Sequence, residues 1–245
     1  MTDTRIDLLD GRSLRQRTAL ASGAVGLALL TALAAMPAAP AGSAVVALAL
    51  YVAVSVAVFG RIETFHPHPR FGVANTVTLV RAAGTALLAG GLASPDLLAQ
   101  AHAAWAVLAF ALGLLALDGV DGWAVRRQGL SSRFGARFDM EVDTFLMLVL
   151  AGYSIALGKI GLWVLAIALP RYAFVAAGVV VPALRRDLPP SLRRKAVCVL
   201  QMAVLAALLA PPVTPRLAVA LAVSALAALV WSFARDVAWL LRRRR

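Results

Sequence analysis

The sequence predicts an all-α, polytopic membrane protein, and three observations carry that expectation. The 245 residues are 61% hydrophobic with a mean hydropathy of +0.83, which is too apolar for a soluble domain of this size. Charged residues make up only 15% of the chain. The basic residues behind the net charge of +12 cluster between apolar runs instead of covering a soluble face. That pattern points to topology signals beside anionic lipid and excludes nucleic acid as the partner. A single cysteine, Cys198, excludes an internal disulfide and a cysteine zinc cluster.

Eight apolar segments are expected in order. After a polar tail carrying Arg5, Arg12, Arg15 and Arg17, the first runs from about Thr18 to Ala39. Small-residue cleavage sites follow it, but its apolar stretch is longer than a signal-peptide core, so it reads as an uncleaved helix. The second runs from about Ser43 to Phe59. In the polar connection after it, prolines alternate with His66 and His68 and keep them out of a helix, which suits a juxtamembrane loop. His102, isolated near a helix start, reads as structural.

The third segment begins at about Ala74 and carries Asn75, Thr78 and Arg81 at three-residue spacing, one polar face of a helix. In lipid such groups must face the protein interior or water. The fourth, about Leu97 to Leu117, leads into Asp118, and the fifth runs from about Phe138 to Leu157. The sixth, about Leu162 to Val181, holds Arg171 just after Pro170. An arginine within a span costs at least about 3 kcal/mol unless paired or hydrated, so a carboxylate, a bound phosphate or a structural pair is expected beside it. The seventh, about Ser191 to Ala210, places Lys195, Cys198 and Gln201 on one face. Three prolines precede the eighth, about Leu217 to Phe233.

With both ends cytoplasmic, this arrangement puts nearly every lysine and arginine inside. Only Lys159 and Arg216 fall outside, while Arg81 and Arg171 lie within spans. The asymmetry predicts an integral membrane protein, of a bacterial inner membrane, with its polar groups on the cytoplasmic side.

The stretch from Asp118 to Asp143 concentrates four aspartates in this apolar chain. Asp118 and Asp121 are three apart, Asp139 and Asp143 four apart, so each pair shares a helix face. A connection from Gly122 to Phe138 makes the two helices neighbours and lets the carboxylates converge. Four such charges require either protonation or divalent cations, and two hard cations suit an all-oxygen set.

Asp118, Asp121, Gly122, Arg126, Gly135, Asp139 and Asp143 match D-x2-D-G-x2-A-R-x8-G-x3-D-x3-D with every spacing kept; only Val125 replaces the alanine. In these residues the chain resembles the CDP-alcohol phosphotransferases. Asn75, Thr78 and Arg81 resemble the N-x-x-T-x-x-R that opens that family's first core helix. Lys195 and Gln201 match part of its S-x-x-G-K-x-x-T-x-x-Q, with Arg194 and Cys198 departing.

The resemblance implies a six-helix catalytic core, residues 74–245, preceded by a two-helix extension, residues 1–73. It implies transfer of a phosphatidyl group from CDP-diacylglycerol to an alcohol with release of CMP, helped by two Mg2+ or Mn2+ ions, in a homodimer. Asp118, Asp121 and Asp139 would be metal ligands, and Asp143 the general base, also touching a metal. Asn75, Thr78, Gly122, Arg126 and Gly135 would bind the nucleotide. Arg81, Arg133, Arg137, Arg171 and Lys195 would meet acceptor or phosphate. With Arg185, Arg186, Arg193 and Arg194 these form a basic mouth that favours a phosphorylated acceptor such as glycerol 3-phosphate or inositol phosphate, although attraction to the membrane explains the same charges. Lys195, Gln201 and Arg171 favour glycerol 3-phosphate. Tyr172 stands where phosphatidylglycerophosphate synthases commonly have an acid. Serine, choline and a CDP-alcohol donor with a lipid acceptor stay open, as do a transporter and a non-catalytic scaffold.

Overall fold

The computed structural model describes residues 13–36, 40–94, 102–128, 132–181 and 191–242; the side chains of 120–128, 171, 175 and 178 lie outside the description. Among the described residues every regular element is helical: α1 (Leu14–Ala34), α2 (Ala41–Phe65), α3 (Val73–Leu92), α4 (Ala103–Gln128), α5 (Arg133–Ala156), a 3-10 segment (Leu162–Ile167), α6 (Pro170–Val180), α7 (Leu192–Leu209) and α8 (Pro215–Arg242). Two compact units emerge, one of residues Met1–Ser94 with Gly113–Asp143 and one of Pro95–Leu112 with Thr144–Arg245.

Three differences from the sequence reading have physical causes. The sixth apolar segment is not one helix. Pro170, with no N–H, cannot continue an α-helix but suits its first turn, so a 3-10 stretch precedes it and an 11-residue α6 follows. The connection after the first aspartate pair is also much shorter than the expected Gly122 to Phe138. From Trp123 to Gln128 there is no helix breaker, so α4 runs on to Gln128 and α5 starts at Arg133. Finally, four described helices, α1, α2, α3 and α8, are long and apolar enough to cross a membrane, where eight spans were expected. α5 falls short because Arg133, Arg137, Asp139, Glu141 and Asp143 crowd its first half, and α7 because Arg193, Arg194 and Lys195 occupy its first turn.

In the first unit α1 and α2 pack on each other and on α3. A capping box opens α1: Gln16 N–H donates to Ser13 Oγ at 3.3 Å, and Ser13 N–H to Gln16 Oε1 at 2.8 Å. The Tyr51 hydroxyl of α2 donates to the Ser22 carbonyl of α1 at 2.6 Å. α2 continues past its expected end at Phe59 until His66, which precedes Pro67 and is extended. Gly72 enters α3 with φ +83°, a conformation in which a side chain is strained. Gly90 of α3 lies directly against the Ser43 carbonyl and Ala47 of α2.

In the second unit α7 pairs with α8. Gln201 Nε2 donates to the Ala225 carbonyl at 2.9 Å. Arg193 donates to the Ser232 carbonyl, to Ser232 Oγ at 2.7 Å and to Asp236 at 2.5 Å, and Arg194 reaches Asp236 at 3.2 Å. Lys159, in the turn after α5, donates to the Ala210 carbonyl at 2.5 Å and so satisfies the end of α7. Its partial burial lowers its pKa.

A methyl group at position 90 would overlap the Ser43 carbonyl and lie 3.0 Å from Ala47 Cβ. Gly90→Ala should therefore force α2 and α3 apart and destabilise the fold by about 1–3 kcal/mol. A thermal melt in detergent micelles should show a lower midpoint than the parent protein.

Candidate active site

The site belongs to the first unit and is built outward from α3. Asn75 and Thr78 are buried on its inner face. Asn75 Nδ2 donates to the Phe71 carbonyl at 2.5 Å and Thr78 Oγ1 to the Ala74 carbonyl at 3.0 Å. These bonds back onto the preceding turn satisfy polar groups that could not face lipid. One turn further on stands Arg81, fully buried at 0% exposure.

A guanidinium so buried needs compensating charge. α4 and α5 supply it. Arg81 Nη1 lies 2.9 Å from Asp118 Oδ1 and 2.7 Å from Asp139 Oδ1, while Nη2 lies 2.5 Å from Asp143 Oδ1. The four-residue spacing puts Asp139 and Asp143 on one face of α5, as expected. Side-chain exposure is 37% for Asp118 and Asp139 but 16% for Asp143, so the first two present an open edge and the third is set deeper.

Oxygen atoms of Asp118, Asp139 and Asp143 all lie within 4.8 Å of one another. Opposite oxygen ligands of one Mg2+ or Ca2+-sized ion are about 4–5 Å apart. The donor set is hard, anionic and all oxygen, so the residues fit a divalent cation. Asp121, the motif's fourth acid, has its backbone in α4 and its side chain outside the described residues, as do Gly122 and Arg126.

Gly135 lies against α3. A Cβ there would come within 2.9 Å of Asn75 Oδ1 and 3.3 Å of Ser132 Oγ, so a bare backbone lets Asn75 approach α5. Ser132 caps the helix, accepting from the Gly135 N–H at 3.0 Å. Its hydroxyl also meets His66 Nδ1 at 2.8 Å, and His66 Nε2 donates to the Arg70 carbonyl at 2.7 Å. Burial pushes the His66 pKa below the usual histidine range; the Arg70 carbonyl opposes that shift and His68 adds to it. The sequence reading did not single out Ser132, and it placed His66 in a plain loop, since the two lie 66 residues apart along the chain.

The expected phosphate-binding residues separate into distinct groups. Arg81 is engaged by three carboxylates, the counterion position expected of Arg171, whose own side chain is outside the description. Arg133 and Arg137 are exposed on α5. Arg193 and Arg194 of the expected basic mouth are tied to Asp236, while Lys195 is exposed on α7. Arg185 and Arg186 lie outside the described residues.

Comparison with protein-family models matches residues 71–232 to the family described as CDP-alcohol phosphatidyltransferase. The chain belongs to that family. The match starts just before the Asn75 stripe, ends within α8 and contains all seven motif residues. No curated protein and no solved structure matches the chain. As a CDP-alcohol phosphatidyltransferase it is a transferase of phospholipid biosynthesis that moves a phosphatidyl group from a CDP-linked substrate to an alcohol acceptor. Its long apolar helices agree with an integral membrane protein.

Replacing Arg81 with an apolar residue of similar length leaves three carboxylates facing one another. Arg81→Met should destabilise the metal-free protein by about 3 kcal/mol. Mn2+ should recover more of the lost melting temperature than it adds to the parent protein, as read by melts with EDTA and with Mn2+.

Proposed function

We propose that this phosphatidyltransferase takes CDP-diacylglycerol as donor, releases CMP and uses an alcohol acceptor bearing phosphate, with glycerol 3-phosphate the first candidate. The observation that supports this best is the convergence of Asp118, Asp139 and Asp143 on one volume beside a fully buried Arg81. Bound Mg2+ or Mn2+, held by Asp118, Asp121, Asp139 and Asp143, would polarise the donor's diphosphate and offset the charge of the departing CMP.

The acceptor hydroxyl must lose its proton as its oxygen attacks phosphorus, and the P–O bond to CMP breaks in the same transfer. Asp143 is the base in this reading. It is the deepest of the three carboxylates, and a base screened from bulk water holds the abstracted proton beside the reacting atoms. Arg81 contributes by orientation, since one guanidinium fixes three carboxylates against each other. Asn75, Thr78, Gly122, Arg126 and Gly135 are the nucleotide-facing set. For Gly135 the contact with Asn75 adds a packing reason for the absent side chain.

For the acceptor, the exposed cations Arg133 and Arg137 on the aspartates' own helix favour a phosphorylated alcohol; Arg171 and Lys195 are assigned the same role on the sequence motif alone. Inositol phosphate is the second candidate, ahead of serine and choline. The site residues are proposed to face the cytoplasm, because Arg133 and Arg137 share α5 with the aspartates and basic residues gather on that side. The core is proposed to span residues 74–245, with residues 1–73 as an extension and a homodimer as the working assembly.

Purified protein in lipid micelles should release CMP from CDP-diacylglycerol only with a divalent cation and an acceptor. Glycerol 3-phosphate, inositol phosphate, inositol, serine and choline are offered separately. Asp143→Asn should lower turnover by about 100-fold to 10,000-fold while CDP-diacylglycerol still binds. Parent-like turnover in that variant would remove Asp143 as base, and metal-dependent donor binding without any release would turn attention to an untested acceptor.

A further inference from the structure

The link between His66 and Ser132 has no part in the aspartate motif, yet it ends on the turn that starts the catalytic helix. His66 is 5% exposed and uses both ring nitrogens. A carbonyl can only accept, so Nε2 carries the proton that binds the Arg70 carbonyl. In the neutral ring Nδ1 is then an acceptor, and the Ser132 hydroxyl donates to it. That leaves the Ser132 oxygen's lone pair turned to the Gly135 N–H, 3.0 Å away. The histidine thus orients the hydroxyl that caps α5.

Packing runs along the same line. The His66 ring meets Phe134 edge to face with centroids 6.0 Å apart, and Phe134 in turn meets Phe138 at 5.8 Å. Both phenylalanines are buried, and Phe138 is the residue before Asp139. A polar bond and an apolar contact therefore fix the first turn of α5 from a loop outside the motif. A helix whose first turn is fixed cannot rotate or fray, and Asp139 lies within two turns of that cap.

We propose that His66 is a positioning residue for the transfer reaction: through the Ser132 hydroxyl it holds the start of α5 and so the register of Asp139 and Asp143. The inference rests on the reading of those two carboxylates as the metal-holding and base groups. It gives the segment before α3 a function that a juxtamembrane loop lacks.

The test uses the full-length protein in detergent micelles with His66→Phe, Ser132→Ala, the double variant of both, and His66→Phe combined with Ser132→Asn. Phenylalanine keeps the ring and its contact with Phe134 but removes both hydrogen bonds. Asparagine caps a helix as well as serine and needs no histidine to orient it. Two readouts are taken: hydrogen exchange of residues 132–139 without metal or substrate, and Mn2+ affinity without nucleotide. Each single change should speed exchange there and weaken Mn2+ binding about five-fold, the scale of one helix cap. The double variant should be no worse than either single one, because both break the same link. Ser132→Asn in the His66→Phe background should restore both readouts.

Parent-like exchange in His66→Phe, additive losses in the double variant or no rescue by asparagine would each overturn the proposal. A loss spread over α3 and unmoved by asparagine would mean that His66 serves loop packing alone. Should His66→Phe fail to fold, His66→Leu replaces it. Like Phe, Leu makes neither hydrogen bond, so parent-like exchange in His66→Leu overturns the proposal too. Absence of CMP release from the parent protein would sink the transfer reading while leaving the metal-free exchange result to stand.

Discussion

Burying the Arg81 guanidinium is the constraint on which the first unit depends. A fully enclosed arginine is tolerable only when its donors are met by charge. The three aspartates that meet them come from α4 and from two successive turns of α5. The helices cannot shift or rotate separately without leaving one of those charges unmatched. Ordinary apolar contacts between membrane helices do not specify register so tightly, because lipid is as good a neighbour as leucine.

Close approach of the helices around that pair depends on missing side chains. Gly90 meets the Ser43 carbonyl, Gly135 meets Asn75, and a Cβ on Gly84 would come within 2.6 Å of Leu114 Cδ2. At Gly90 the neighbour is backbone, so α3 lies nearer to α2 than an alanine would allow, while at Gly84 and Gly135 an alanine would push the ends of the Leu114 and Asn75 side chains aside. Glycine weakens an isolated helix, but within the membrane the approach it permits strengthens packing between helices. Gly135 shows the two demands meeting: the position that must admit Asn75 is also the one whose N–H receives the Ser132 cap.

What could be read in the sequence was local and periodic. The helical class followed from composition, and the placement of Asp139 with Asp143 followed from a spacing of four along one helix. The burial of Asn75, Thr78 and Arg81 followed from a polar stripe in an apolar segment. What resisted reading depended on partners distant in the chain. Arg81 looked like a phosphate ligand because its position in the stripe says nothing of which charges will face it, and Arg171 looked equally fit for the carboxylates. Arg193 and Arg194 looked like part of a basic mouth because Asp236, their partner, lies more than forty residues on. The extent of α4 was misjudged for another reason. A connection from Gly122 was expected, but α4 continues to Gln128, since helix propensity is a weak term beside the packing of a long element.

Charge balance connects the Arg81 contacts with the fit of the cluster to a divalent cation. Even with the Arg81 guanidinium counted, the carboxylates of Asp118, Asp139 and Asp143 leave a net negative charge. Without Arg81 the cluster would carry its full charge in a poorly hydrated place, and the carboxylates would separate or take up protons, either of which removes ligands. Arg81 therefore holds the three carboxylates together and leaves negative charge that would attract a divalent cation. The partial exposure of Asp118 and Asp139, beside the deeper Asp143, gives that remaining charge an open edge.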